Sequence, residues 1–201
     1  MFVTLDGPSG IGKTTLTEMI TEKLGSRSIR TIAVYTPTKS DIGQLARNGT
    51  YSFSAHTLSC LVAADRYDND ARTVRPALEK GIVVICDRYI PSSLVLDGFD
   101  GVESGFTWRL YQAITVPALS FVLLGDPNLC WQRANTRGKY SRFHAQDATK
   151  AAGEMERFRT VVTWLQDNTT YPVRPFDIGT KSAEQVADNL VEIILSSKGA
   201  N

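Results

Sequence analysis

The sequence has little cysteine, little histidine and almost no net charge, and each shortage narrows its possible functions. Its 201 residues include three cysteines and two histidines. The odd thiol count, without metal-site spacing, favours buried free thiols in a reducing compartment. The formal net charge of +1 provides no global field that would attract nucleic acid or an anionic membrane. No apolar run approaches membrane-spanning length, and the first predicted strand begins at Phe2, so we expect a cytoplasmic protein without a targeting leader.

Short apolar runs alternate with longer helical patterns, which is typical of parallel sheets whose strands are joined by crossover helices. The length and the 42% hydrophobic content predict one α/β domain over residues 1–201, large enough for a full core. Strands are predicted at Phe2–Asp6, Thr31–Tyr35, Ile82–Asp87, Leu119–Leu124 and Val173–Phe176. Helices are predicted near Lys13–Leu24, Ser54–Lys80, Gly105–Thr115, Pro127–Arg137, Asp147–Asp167 and Ser182–Ser197. In such sheets ligands bind at the carboxyl ends of the strands.

The segment Gly7-Pro8-Ser9-Gly10-Ile11-Gly12-Lys13-Thr14 fits the phosphate-loop pattern, in which two glycines enclose four residues and precede Lys and Thr. It lies between a predicted strand and a predicted helix, which is the context that the motif requires. The backbone N–H groups of such a loop form an anion site at a helix N-terminus. Lys13 is expected to reach the β- and γ-phosphates of a nucleoside triphosphate, and the Thr14 hydroxyl to bind Mg²⁺.

A second polar segment, Asp87-Arg88, follows the strand predicted at Ile82–Asp87. An unpaired carboxylate at the end of a buried strand is costly, and Mg²⁺ beside Thr14 would remove that cost. Arg88 can bind a phosphoryl group through two parallel hydrogen bonds. An Asp-Arg ion pair that closes the strand is the alternative, but a phosphate loop in the same sheet favours the metal and phosphate roles.

Three blocks of sequence within residues 2–160 carry a resemblance to a known family. The first is the phosphate loop. The second block consists of Ala64-Asp65-Arg66, Arg75-Pro76-Ala77-Leu78, Gly81, Asp87-Arg88-Tyr89 and Ser92-Ser93. The third consists of Arg133, Arg137-Gly138 and Arg142. In order and spacing these blocks resemble the thymidylate kinase family, and the third resembles the arginine-rich lid of its bacterial branch.

The resemblance implies a P-loop kinase fold, with a five-stranded parallel sheet flanked by helices and a short lid at about residues 134–146. It also implies a homodimer, and Mg²⁺-dependent transfer of a phosphoryl group from ATP to a nucleoside monophosphate, most simply dTMP to dTDP. The implied ATP-binding residues are Gly7, Ser9, Gly10, Ile11, Gly12, Lys13, Thr14, Thr15, Arg133, Arg137 and Arg142. The implied metal ligands are Thr14 and Asp87.

On the acceptor side, the resemblance implies that Arg66 helps to read the base and that Arg88 bridges the acceptor phosphate and the transferring group. The implied acceptor-binding residues are Ser9, Pro37, Lys39, Val62, Arg66, Arg88, Ser92, Ser93 and Leu96. A phosphate monoester has a second pKa of about 6, so such an acceptor is mostly dianionic at neutral pH and needs no general base. Positive charge on the moving phosphoryl group is needed instead. Lys13, Arg88 and Arg137 are therefore the predicted catalytic residues.

The acceptor side also departs from the family's pattern. Ser9 stands where an acidic residue is usual, Val62 where an aromatic ring stacks on the base, and Leu96 where a tyrosine lies near the sugar. Tyr35-Thr36-Pro37 replaces the usual Arg-Glu-Pro, with Lys39 as a substitute cation. The loss of a stacked ring costs about 1–3 kcal/mol of base binding.

Three interpretations follow from these departures. The acceptor is dTMP, with aromatic contact from Tyr67 or Tyr35. Alternatively, a kinase of this fold acts on a different or modified nucleotide, a nucleoside or a nucleotide-like molecule, and a hydroxyl acceptor would need Asp87 or Asp6 as a base. The third interpretation is a non-catalytic nucleotide-binding switch.

Overall fold

The computed structural model describes residues 1–136 and 147–199. Five strands form one sheet in this part of the chain, in the order β2-β3-β1-β4-β5, and every neighbouring pair is parallel. The strands are β1 (Phe2–Asp6), β2 (Thr31–Tyr35), β3 (Val83–Asp87), β4 (Leu119–Leu124) and β5 (Val173–Asp177). The predicted five-stranded parallel sheet is therefore confirmed, with strand bounds within one residue of those predicted.

Helices join these strands and cover both faces of the sheet. The helices are α1 (Lys13–Ser26), α2 (Asp41–Asn48), α3 (Ala55–Asn69), α4 (Arg75–Glu79), α5 (Ile90–Phe99), α6 (Ser104–Leu110), α7 (Pro127–Thr136), α8 (Ala148–Asn168) and α9 (Ala183–Gly199). A 3₁₀ turn spans Gly49–Tyr51, and a π-helical turn at Asp70–Val74 joins α3 to α4. No helix within residues 1–136 and 147–199 combines the length and the apolar character that a membrane crossing requires.

The core consists of two apolar layers, because successive side chains of a strand point to opposite faces. Leu5 of β1 and Ile85 of β3 pack on the face that α1 and α9 cover. Phe2 of β1 and Val84 of β3 pack on the opposite face, against α5 and α8. Both strands are buried along their whole length. Burial on both faces explains the apolar run Val83–Cys86 of β3, whereas β1 also buries the polar side chains of Thr4 and Asp6.

Two of the helices are not predicted by the sequence pattern. α2 is short and mostly polar, and it is capped by Ser40, whose hydroxyl accepts a hydrogen bond from the Gly43 N–H. α5 is buried on almost all sides, so it lacks an amphipathic period. The long helix predicted at Ser54–Lys80 is one helical run interrupted by the π turn, because Pro76 cannot donate the regular i→i−4 hydrogen bond.

The cysteines require a correction. Cys86 and Cys130 are buried free thiols as predicted, but Cys60 is exposed on α3. Other elements cover only part of the surface of α3. The sequence of the helix does not show which part, so the exposure of Cys60 could not be predicted.

The sheet register places the functional segments side by side. Leu5 of β1 pairs with Asp87 of β3, and Asp87 also pairs with Tyr35 of β2. The phosphate loop leaves β1 just after Asp6, and Arg88 follows β3 directly. Both segments therefore leave the sheet at the same carboxyl edge, where ligands of parallel sheets bind.

Candidate active site

The phosphate loop has a backbone that only glycine can supply at one position. Gly10 has φ +81°, and a Cβ atom added there would lie 1.9 Å from the carbonyl oxygen of Cys130 in α7. The loop therefore rests directly on the backbone of α7. The Ile11 N–H donates to the Pro8 carbonyl at 3.3 Å, so the loop turns back on itself before α1 begins at Lys13.

Lys13 lies inside this loop. Its Nζ donates to the carbonyl oxygens of Gly7 at 2.8 Å and Pro8 at 2.9 Å, and the side chain is 5% exposed. Burial, reinforced by nearby Arg88, lowers the pKa of Lys13 to about 7, although Asp87 and other nearby carboxylates oppose the shift. The Lys13 ammonium group therefore lies beside the anion site, where it is bound by two carbonyl oxygens rather than by a carboxylate.

Thr14 and Asp87 meet at the place predicted for a metal. The Thr14 hydroxyl donates to Asp87 Oδ2 at 2.6 Å. Asp87 Oδ1 is buried, and no described group donates a hydrogen bond to it. A hydroxyl and a carboxylate are the hard oxygen ligands that Mg²⁺ prefers alongside substrate phosphates, so these residues fit that ion.

Arg88 has a constrained backbone and an unsatisfied side chain. Its φ is +72°, a conformation that costs a non-glycine residue about 1–3 kcal/mol. The surrounding structure maintains it, since the Arg88 N–H donates to the Leu5 carbonyl and its own carbonyl accepts from the Thr36 hydroxyl at 2.6 Å. Arg88 Nη1 is buried without a hydrogen-bond acceptor among the described residues. A guanidinium held in this way is suited to an incoming phosphate.

Thr36, at the end of β2, links Arg88 to Arg66. Its hydroxyl oxygen accepts a hydrogen bond of 3.4 Å from Arg66 Nε, in addition to the one that it donates to Arg88. Arg66, in α3, is 3% exposed, and its guanidinium carbon lies 5.7 Å from the ring centre of Tyr89. The two arginines predicted to bind the acceptor therefore belong to one connected cluster.

Arg66 is further held by two hydroxyl groups. Its Nη1 donates to Ser93 Oγ at 2.6 Å and to the Tyr111 hydroxyl at 3.0 Å. Its guanidinium carbon also lies 5.2 Å from the ring centre of Tyr111. Burial alone would lower the pKa of Arg66, but the electrostatic influence of Tyr111 and Asp6 raises it overall. The buried guanidinium therefore stays charged.

Asp6 and Ser92 have a role that sequence reasoning did not foresee. Asp6 is fully buried, and its Oδ1 accepts from the N–H groups of Tyr89 at 2.8 Å and Ser92 at 3.0 Å, and from Ser92 Oγ at 2.5 Å. These N–H groups lie at the N-terminus of α5, where a carboxylate is stabilising. Burial nevertheless raises the pKa of Asp6. The Ser92 hydroxyl thus donates its hydrogen bond to Asp6. That Ser92 lines the pocket for the acceptor base stays a prediction.

A cavity of about 430 Å³ lies on the outer side of the phosphate loop. Gly10, Gly12, Thr15 and Arg133 line it together with Lys181. Arg133 was predicted to bind ATP, and the structure places it beside the loop. Arg137 and Arg142, the other two predicted lid arginines, lie outside the described residues.

Comparison with known proteins assigns the chain to a family. Residues 5–172 match the sequence profile of thymidylate kinases. The chain belongs to the thymidylate kinase family. It is 30% identical over 158 residues to the thymidylate kinase of Exiguobacterium sp., covering 73% of this chain and 74% of that protein. It is 28% identical to the probable thymidylate kinase of Pyrobaculum aerophilum, covering 96% of this chain and 95% of that protein.

The fold agrees with this assignment. A solved thymidylate kinase structure from Candida albicans superimposes with a TM-score of 0.76, at 19% identity, over 100% of this chain and 93% of that chain. At that identity the comparison shows the fold alone.

Apart from Ser9, which lies in the phosphate loop against Glu154, the departures from the family pattern lie on α3, on α5 and between β2 and α2. Val62 of α3 and Leu96 of α5 are both half-buried. Pro37 is half-buried and Lys39 is exposed, on the segment between β2 and α2. Asp65 of α3 anchors that segment.

Asp65 makes two of these anchoring contacts. Its carboxylate accepts from the Thr38 N–H at 2.7 Å and from the Ser40 hydroxyl at 3.0 Å. The adjacent residue of α3 is Arg66, so one turn of this helix orients both the segment that carries Lys39 and the buried guanidinium.

Three side chains that contact predicted site residues were not predicted: Thr36, Tyr111 and Glu154. Glu154 is a buried carboxylate of α8 that contacts Ser9 of the phosphate loop. None belongs to a local motif of its own. Only Thr36 offered a signal, because it lies within Tyr35-Thr36-Pro37, a segment already singled out.

Proposed function

We propose that this protein catalyses ATP-dependent phosphorylation of dTMP to dTDP. Membership of the thymidylate kinase family supports this activity, and the observation that carries it is the cluster joined by Thr36. That hydroxyl connects Arg88, which has an unsatisfied Nη1, to the buried Arg66. Lys13 lies within electrostatic reach of both Arg88 and Asp87. Two anionic substrates can therefore meet across one continuous set of cations.

The residues present suit transfer between phosphates. The acceptor phosphate is already ionised, so catalysis depends on alignment and positive charge rather than on proton removal. Lys13 would contact the donor phosphates and Arg88 the transferring group, and Arg137 would add charge from the predicted lid. A hydroxyl acceptor would need a base instead. Asp6 is a poor candidate because it is fully buried and already accepts three hydrogen bonds.

Thr14 and Asp87 would hold Mg²⁺, which when bound supplies positive charge to the β- and γ-phosphates. The orphaned Asp87 Oδ1 supports this role, because a buried carboxylate oxygen without a donor is costly unless a cation approaches it. The described residues contain no cluster of three or more His, Cys, Asp or Glu side chains that could hold a metal unaided. The substrate phosphates would therefore complete the coordination.

A different nucleoside monophosphate is the second candidate acceptor, and the surroundings of Val62 favour it. No aromatic ring occupies that position. Of the two predicted substitutes, Tyr67 is already held because its hydroxyl accepts from the Ala113 N–H at 3.2 Å. Tyr35 is 38% exposed at the end of β2. A pocket without a stacking ring lacks a base contact worth about 1–3 kcal/mol, which a dTMP kinase of this family is expected to make.

The proposed function is tested by ADP release from purified protein with ATP and Mg²⁺, adding each common nucleoside monophosphate in turn. The proposal requires ADP release that depends on an added acceptor and is most efficient with dTMP. Faster turnover with another monophosphate would establish the second candidate. Slow ATP hydrolysis that is indifferent to every acceptor would indicate a nucleotide-binding switch and overturn both candidates.

We further propose a cytoplasmic homodimer. The free state of all three thiols supports a reducing compartment. Family resemblance supports the dimer, and so does exposed apolar surface on elements that pack near α3, at Leu45 and Tyr51, which are 48% and 77% exposed. Light scattering coupled to size-exclusion chromatography tests it: a mass near 22.1 kDa at all concentrations would contradict the dimer.

A further inference from the structure

The carboxylate of Glu154 has no part in the proposed transfer, yet it is buried against the phosphate loop. Glu154 lies in α8 and is 2% exposed. Its Oε1 accepts from the Ser9 N–H at 3.1 Å and from Ser9 Oγ at 3.4 Å. This negative charge lies beside a site for polyphosphate, which it repels. Because this repulsion opposes ATP binding, we expect Glu154 to favour ATP binding in another way.

This favourable effect arises from the geometry of the peptide group between Pro8 and Ser9. The Pro8 carbonyl and the Ser9 N–H belong to the same planar unit, in which they point in opposite directions. The carbonyl accepts from Lys13 Nζ at 2.9 Å, while the N–H donates to Glu154. Because the plane is rigid, fixing the N–H also fixes the direction of the carbonyl. Glu154 and Lys13 therefore hold opposite ends of one peptide.

The loop has a second support next to the first. Gly10 rests on the Cys130 carbonyl of α7 so closely that a Cβ atom would not fit, and α7 packs against α8. Ser9 and Gly10 are thus held by adjacent helices, one through a hydrogen bond and one through backbone contact. A substitution of Glu154 removes the hydrogen bond without a steric clash, whereas any side chain at position 10 would clash with the backbone of α7.

We propose that Glu154 is a positioning residue that fixes the Pro8–Ser9 peptide, so that the phosphate loop has its ATP-binding shape before ATP arrives. Glu154 acts through Ser9 and touches no reacting atom. Preorganisation of this kind raises affinity, because the ordering cost is met during folding rather than during binding. The inference depends on the proposed function only in taking ATP as the donor.

Three variants separate the hydrogen bond from charge and from packing. Glu154→Met removes the acceptor oxygen while filling a similar volume. Glu154→Gln keeps an acceptor oxygen at the same reach but removes the charge. The matched control is Glu156→Met, two residues further along α8, where the carboxylate is exposed and paired with Arg159 at 3.2 Å.

ATP affinity is measured calorimetrically with Mg²⁺ and without any acceptor, and the melting temperature is measured in parallel. We expect Glu154→Met to weaken ATP binding about tenfold, as for the loss of one charge-assisted hydrogen bond. The dissociation constant of Glu154→Gln for ATP should stay within about threefold of the parent's value. The dissociation constant of Glu156→Met should equal the parent's value. In turnover assays, the KM for ATP should rise in Glu154→Met while the KM for the acceptor stays unchanged.

Each other result overturns the proposal. If Glu154→Met binds ATP like the parent while its melting temperature falls, the contact is only structural. If Glu154→Gln is as weak as Glu154→Met, the hydrogen bond is not the cause. If Glu154→Met does not fold, Glu154→Ala carries the same expectations. Because binding is measured without an acceptor, failure of dTMP as a substrate would leave this test unaffected.

Discussion

The Tyr111 hydroxyl lies 3.0 Å from Arg66 Nη1 and 2.9 Å from Ser93 Oγ. One phenol therefore fixes both the buried guanidinium and its hydroxyl partner. Tyr111 directly follows α6, so its ring links that helix to α3 and α5. Substitutions at Tyr111 should therefore affect acceptor recognition without affecting ATP.

Tyr111→Phe removes the hydroxyl and leaves the ring in place. A hydrogen bond of this kind contributes about 0.5–1.5 kcal/mol, so we expect the KM for the nucleotide acceptor to rise about two- to tenfold. The KM for ATP should not change. Steady-state kinetics with each substrate varied in turn measures both values. Equal changes in the two KM values would contradict a role confined to the acceptor side.

Lys13→Ala should abolish transfer while leaving the fold intact. Lys13 donates only to loop carbonyls in the described part of the chain, and its burial carries a desolvation cost. We expect kcat to fall by about a hundred- to a thousandfold, as for the loss of a group that stabilises the transition state. Lys23→Ala is the control, since Lys23 pairs with Glu184 and Asp188 on the surface. Unchanged turnover of Lys13→Ala, with a normal melting curve, would refute the role of Lys13.

Val62→Phe tests whether the acceptor pocket is otherwise that of a dTMP kinase. A ring at this half-buried position of α3 would restore a stacking surface worth about 1–3 kcal/mol. We therefore expect kcat/KM for dTMP to rise about tenfold, with an unchanged KM for ATP. A variant that gains nothing with dTMP would instead point to a different acceptor.

Asp97 should make stability depend on pH. Burial raises the pKa of this carboxyl, despite a hydrogen bond from Thr107 and attraction by Arg66. A carboxyl whose pKa is higher in the folded chain stabilises the fold fully below its unfolded pKa. That contribution is lost as pH rises through the folded pKa.

Asp97→Asn removes this loss, because the amide cannot ionise and can still accept from Thr107. The free energy of unfolding of the variant should therefore exceed that of the parent at pH 8, and the difference should shrink as pH falls toward about 4. Urea unfolding at several pH values measures it. Asp167→Asn, at an exposed position of α8, is the control. A difference between Asp97→Asn and the parent that does not vary with pH would contradict the prediction.

Local patterns sufficed for the features whose physics is local. The buried strands β1, β3 and β4 are short and mostly apolar, and their bounds could be predicted to within one residue. The phosphate loop is recognisable because its glycines and Lys13 must stand at set spacings along the chain. The pairing of Thr14 with Asp87 could be expected as well, since Asp87 ends β3 and the phosphate loop that carries Thr14 follows the neighbouring strand β1.

Features that depend on packing could not be predicted in this way. α5 has no amphipathic pattern because it is buried on nearly every side. The commitment of Ser92 to Asp6 depends on how the start of α5 lies over β1.

Sequence alone determined the sheet, the anion site and the family, because these depend on hydrophobic runs and on motifs of a few adjacent residues. Tertiary structure alone decided which side chains orient those motifs. Glu154 reaches Ser9 across 145 residues, and Tyr111 reaches Arg66 across 45. Such contacts depend on the relative placement of whole helices, which arises from the summed packing of the core and leaves no periodic signal at either residue.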